Sequence, residues 1–139
     1  MTQEEKSLLL QDLCARLPYG VECIHPKTGQ VVEIKNLNLY AGIVDMIPAF
    51  KIEEVKPYLR PMSSMTEKER EEWADLFNLE LDKLNEIDDE NKAEELAPYY
   101  FGKSHQVSID WLNKNMFDYR NLIPMGLALE APSNMYKSE

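Results

Sequence analysis

Histidine is nearly missing from this chain: His25 and His105 are its two copies. A zinc site draws Cys and His ligands at short, recurrent spacings, and Cys14 and Cys23 lack a metal-ligand spacing and build no such pattern with the two histidines. No metal and no other cofactor is expected. Glycine is scarce as well, five in 139 residues, and none of them builds the Gly-rich loop that cradles a nucleotide's phosphates. Long apolar runs are lacking. The uninterrupted stretches are a few residues long, far short of the ~18 to 20 that span a bilayer. The first residues, Met1-Thr2-Gln3-Glu4-Glu5, are acidic where a signal peptide is basic, and Leu8-Leu9-Leu10 is too short for its apolar region. A cytoplasmic protein is expected, with both cysteines as free thiols.

Positive charge is also in short supply, with 15 Lys and Arg against 25 Asp and Glu for a net charge of −10. The imbalance is local: between Glu67 and Glu95 there are 13 acidic and 4 basic residues. Duplex binding draws most of its affinity from cations that neutralise phosphates, so nucleic acid is not an expected partner, and without a spanning run neither is a membrane. The acidic run reads in two ways. It is a docking surface for a basic protein, extending even to DNA mimicry, or it is a solvated helix face.

What is present suits one domain over residues 1–139, since 44% hydrophobic residues at this length suffice for a single core. The spacing predicts an α+β fold: a small antiparallel sheet, with a hairpin near residues 21–36 and one or two further strands, packed against three to four helices. Thr2 and Glu5 form a capping box, and Leu9, Leu10, Leu13, Cys14 and Leu17 follow at helical spacing until Pro18-Tyr19-Gly20. Val21 to His25 and Gln30 to Asn36 read as strands around Pro26-Lys27-Thr28-Gly29, with Val21, Cys23 and His25 on one face. Leu37 to Ile47, with Leu39, Ile43, Val44 and Ile47, reads as a further strand interrupted at Gly42 or as a short helix. Pro48, Pro57 and Pro61 then discourage long elements, leaving Ile52 and Val55 for a turn of helix or an edge strand.

Thr66 with Glu69 makes a second capping box, and Trp73, Leu76, Phe77, Leu84 and Ile87 fall on one helical stripe. Glu80 interrupts that stripe. Either the helix breaks near Asn78 or stays partly exposed there, or a cation pairs with the carboxylate. Ile87 to Ala97 reads as a helix end or mobile connection, and Ser104 as the cap of a helix reaching about Asn115. Asp118 is placed to cap a short helix from Tyr119, Leu127-Ala128-Leu129 reads as a final strand, and Lys137-Ser138-Glu139 as a disordered end.

Pro57 to Thr66, Asp110 to Asn113, Phe117-Asp118-Tyr119-Arg120 and the closing Gly126 to Pro132 carry a likeness. In these stretches the chain resembles a group of small proteins from gut Bacteroides genomes and their prophages. Members of that group often have a His pair just before the Phe-Asp-Tyr-Arg stretch, where this chain has Asn115-Met116. The resemblance implies an accessory protein of a mobile element and brings no activity or metal site with it.

Candidate chemistry is thin. Ser63 or Ser64 with His105 and Asp110 would supply a nucleophile, a base and an orienting acid, but the serines lie at a helix start and outside any nucleophile elbow, where capping explains them better. Arg60 and Arg120 stand beside Tyr or Pro and suit either a bidentate anion clamp or structural ion pairs with Asp110 or Asp118. Trp111, Phe117 and Tyr119 read as core aromatics in preference to an exposed patch. Two functions follow. The leading one is a non-enzymatic interaction protein, monomer or homodimer, that meets a protein partner through Glu71, Glu72, Asp75, Asp88 and Glu90 or through its apolar C-terminal surface. The other is a small-molecule binder or enzyme with Arg60, His105 and Arg120 around one cleft.

Overall fold

Thr2 and Glu5 exchange hydrogen bonds at the start of α1 (Gln3–Arg16): the Glu5 amide donates to Thr2 Oγ1 at 3.1 Å and the Thr2 amide to Glu5 Oε1 at 3.0 Å. The capping box satisfies amides that a helix start leaves open. In this computed structural model residues 1–38, 43–45 and 50–136 are described. The buried stripe of α1 is Leu9, Asp12, Leu13 and Arg16, while Cys14, expected on it, is exposed. A 3-10 turn over Leu17–Tyr19 ends the helix at Gly20, whose φ of 82° lies in the left-handed region. That backbone conformation calls for glycine, while a Cβ there would displace only the tip of the Glu33 side chain.

The hairpin forms as expected from β1 (Glu22–Ile24) and β2 (Val31–Glu33), with Cys23 opposite Val32. Val21, Cys23 and His25 all face the core. His25 also fastens the turn, its Nδ1 accepting the Lys27 and Thr28 amides at 3.2 and 3.3 Å. A second antiparallel sheet follows from β3 (Asn36–Asn38), β4 (Ile43–Asp45) and β5 (Phe50–Lys51). The segment read as one strand or a short helix is thus two paired strands; Leu39, Gly42, Ile47 and Pro48 lie outside the described residues. Ile52 and Val55 are fully buried around a 3-10 turn, Ile52–Glu54.

The remaining sheet is parallel and was not expected, apart from the final strand read at Leu127-Ala128-Leu129, which falls at Leu129–Glu130. β6 (Tyr58–Pro61) is its middle strand, paired in parallel with β7 (Phe117–Asp118) on one side and β8 (Leu129–Glu130) on the other. A parallel pair requires a crossover, and the one from β6 to β7 contains α2 (Glu67–Asn85) and α3 (Glu90–Lys114). Thr66 and Glu69 cap α2 by two bonds of 3.1 Å. Three expectations fail in this region. α2 does not break near Asn78. α3 begins at Glu90, where Asp89 Oδ1 accepts the Asn91 and Lys92 amides at 3.0 and 3.4 Å, and it absorbs the supposed connection with Pro98 inside it. Ser104 is therefore mid-helix and buried, and caps nothing.

Asp118 starts no helix either: from β7 its carboxylate accepts the Leu122 and Ile123 amides at 2.9 Å each and holds a series of turns. The expected tail end, Lys137 to Glu139, lies outside the described residues.

The chain divides into two compact units, Met1–Met62 with Asn113–Glu139 and Ser63–Leu112. The main core belongs to the first and joins Leu9 and Leu13 to Val21, Cys23, Ile34, Ile52, Val55, Leu59, Met116, Leu122 and Leu127. Each such side chain contributes about 1.5–3 kcal/mol by leaving water. Tyr136 fastens the C-terminal segment onto this unit: its hydroxyl accepts the Glu22 amide and donates to the Tyr58 carbonyl, both at 2.8 Å. Replacing Tyr136 by Phe should lower stability by about 1–2 kcal/mol, because two half-buried backbone groups lose their partner. Urea denaturation checks this, and an unchanged midpoint would show that the segment is not held by that hydroxyl.

Candidate functional site

The second unit is built on the antiparallel pair of α2 and α3, which are joined by several polar contacts. Trp73 Nε1 donates to Ser108 Oγ at 2.6 Å, Ser104 Oγ donates to the Phe77 carbonyl, and Trp111 Nε1 reaches Glu72 Oε1 at 3.3 Å. Glu80, 4% exposed, pairs through Oε1 with Lys83 at 3.2 Å and Lys103 at 3.6 Å, while its Oε2 is buried without a hydrogen bond. Pairing with cations, the alternative to a helix break, is how the stripe accommodates this carboxylate.

Beside these contacts runs a groove of about 400 Å³ between the helices, lined by Trp73, Ala74 and Phe77 from α2 and by His105, Ser108 and Ile109 from α3. Phe77, Leu79, Tyr99 and Phe101 remain 42 to 59% exposed in the same unit. The candidate partner-binding residues Glu71, Glu72, Asp75, Asp88 and Glu90 are all exposed. Ser63–Leu112 holds 14 acidic and 5 basic residues, a balance of −9 out of −10 for the whole chain.

Arg60 and Arg120 lie in the first unit and His105 in the second. Arg120 is tied into a buried cluster that sequence reading missed. Asp12 and Arg16, both fully buried, are joined through Oδ2 to Nε at 2.9 Å and Oδ1 to Nη2 at 3.1 Å. Arg120 Nη1 donates to Asp12 Oδ1 at 2.6 Å, and Arg16 Nη2 donates to the Phe117 carbonyl at 2.6 Å. The two guanidinium carbons lie 5.4 and 4.6 Å from the centre of the Tyr119 ring. Arg120 makes a structural ion pair, but with Asp12 of α1 in place of the expected Asp110 or Asp118. Asp118 is occupied by backbone amides, and Asp110 accepts from Gln106 of its own helix at 2.8 Å. Arg60 stacks on the Phe117 ring at 4.1 Å. A signal for the cluster did exist: Asp12 and Arg16 are four apart, opposite in sign, and on the helix face of Leu9 and Leu13.

Ser63 and Ser64 lie in a 3-10 turn, Met62–Ser64, leading to α2. Among the described residues no group of three His, Cys, Asp or Glu could hold a metal ion, and no helix is long and apolar enough to cross a membrane. Compared with protein-family models, curated proteins and solved structures, the chain matches none of them.

Removing Asp12 leaves guanidinium charge buried without its counter-ion, so Asp12→Ala should cost about 3–5 kcal/mol. Replacing the inner pair together, Asp12→Leu with Arg16→Met, should cost much less, and equal losses in thermal unfolding would contradict this account. A second expectation concerns alkaline pH. Burial, with the nearby Glu22 carboxylate adding to it, pushes the Cys23 thiol up from 9.0 to about 11. Burial also raises the Tyr136 phenol. The folded state holds these protons more tightly than the unfolded chain. The Cys23 contribution to stability is therefore complete below about pH 9 and is lost as pH rises towards 11. Stability should decline across that window, and less steeply in Cys23→Ala. A thiol reagent at neutral pH should modify exposed Cys14 and spare Cys23 until the protein unfolds.

Proposed function

We propose that this chain is a non-enzymatic interaction protein, an accessory protein of a mobile element, whose α2–α3 hairpin takes a basic protein partner. The observation that supports this reading is that nearly all the net charge and four large exposed apolar side chains fall on one helical unit. A solvated helix face explains the charge by itself. It does not explain why Phe77, Leu79, Tyr99 and Phe101 stay in water on the same unit, since each exposed apolar side chain costs free energy that a contact recovers. Charge complementarity would set the encounter rate and exclude acidic competitors, and apolar contacts would hold the complex. The likeness to Bacteroides and prophage proteins in residues 57–66, 110–113, 117–120 and 126–132 supports an accessory role.

Changing Glu71, Glu72 and Glu90 to Gln and Asp75 and Asp88 to Asn removes five negative charges while leaving α2 and α3 intact. Tagged protein should retain a stoichiometric partner from host extract at low salt and release it at high salt, and the neutralised variant should retain much less. Equal retention by both proteins would refute acidic docking.

A further inference from the structure

The interaction reading gives a basic protein as the partner, and the groove narrows the form that partner presents. We infer that the groove between Trp73, Ala74 and Phe77 on one side and His105, Ser108 and Ile109 on the other receives a cationic amphipathic helix; this rests on the interaction reading above.

Three observations select that occupant. The first is size and lining: about 400 Å³ of mostly apolar space falls within the ~300–1,000 Å³ of ligand clefts and suits anchors one helical turn apart. The second is the absence of backbone partners. The groove walls are two α-helices whose main-chain groups bond within each helix, Trp73 Nε1 is already bonded to Ser108, and the Phe77 carbonyl receives Ser104. An extended peptide lying there would bury amides with nothing to meet them, whereas a helix satisfies its own. A third helix laid between two completes the ridge-and-groove packing of a bundle.

The third is charge. Glu67 and Glu71 precede Ala74 by seven and three positions, along the same side of α2, and Asp110 adjoins Ile109 on α3. A second copy of this chain would bring its own −9 against this one, and a nucleic acid or anionic membrane would be repelled likewise. A helix flanked by Lys and Arg meets the carboxylates instead. Arg70, one turn before Trp73 and Ala74, offers one ion pair to an acidic residue of the incoming helix.

The test uses the full chain and a fluorescein-labelled synthetic helix of Leu and Lys with one apolar face. A peptide of the same composition, scrambled to abolish that face, is the control, and binding is read by anisotropy at low and high salt. The amphipathic helix should bind about tenfold or more tightly than the scramble, the difference a single buried leucine supplies. Ala74→Trp fills the groove from an exposed helical position without changing charge and should remove that advantage. Ile109→Lys, a second variant, should do the same by placing a cation in the groove. Circular dichroism confirms that both stay helical.

Equal, salt-sensitive binding of both peptides, indifferent to Ala74→Trp, would overturn the groove inference and leave the acidic interaction reading standing. Binding of neither peptide would overturn the inference and remove the support for a basic partner as well. A dimer in sedimentation velocity that Ala74→Trp converts to monomer would show that the occupant is a second copy, and the inference would fail.

Discussion

A carboxylate and a guanidinium buried together at Asp12 and Arg16 dictate how the first unit must close. Neither charge tolerates burial alone, so each must find its remaining partners before the core can exclude water. Those partners come from the far end of the chain: the Phe117 carbonyl, the Tyr119 ring and the Arg120 guanidinium. The N-terminal helix and residues 117–120 therefore hold one another in place. In the same unit β7 lies along β6 in parallel register, the Asp118 carboxylate gathers the amides of the following turn, and β8 pairs with the other side of β6. Met116 turns the chain from α3 into β7 at a φ of 61°, a conformation unfavourable for a side chain with a Cβ, while its own side chain is 1% exposed in the core. Burial of that methionine offsets the strain at the position where glycine is the usual choice.

The second unit is held differently. Its helices meet through an indole on a hydroxyl, a serine on a carbonyl, and one carboxylate between two lysines. Several of its large apolar side chains remain exposed, and its charge is heavily negative. Apolar surface left in water costs free energy that a contact recovers, and excess charge of one sign is least costly where an opposite charge meets it. Both properties fall on the same helices, which is why the functional reading concentrates there and not on the arginine cluster, whose members are engaged in closing the fold.

Much of the local structure was legible in the sequence because the interactions that set it are local. Thr2 with Glu5 and Thr66 with Glu69 are three apart and need nothing but a helix start. Val21, Cys23 and His25 alternate with Glu22 and Ile24 because a strand with one buried face has period two. Where the expectation failed, a distant partner had changed what a residue does. Ser104 resembles a cap in sequence, but Phe77, 27 positions earlier, gives its hydroxyl an acceptor within an unbroken helix. Glu80 resembles a helix breaker on an apolar stripe until Lys103 comes alongside from α3. Asp118 resembles a helix cap in sequence, but its carboxylate holds a series of turns instead. Of the candidate site, the exposed acids on α2 and α3 were readable from charge density, whereas the groove between the two helices was not.

The sequence by itself determined the α+β class, the helix starts, the hairpin and its buried face, and the concentration of negative charge between Glu67 and Glu95, because each depends on spacing within a few residues or on composition alone. Only the tertiary structure decided that Arg120 would pair with Asp12, that β6 would lie between two strands from the chain's last third, and that Trp73 and Phe77 would stand opposite His105 and Ile109. These are pairings across 32 to more than 100 positions, selected by which groups must find a partner when water is excluded, and no local pattern in the chain encodes that choice.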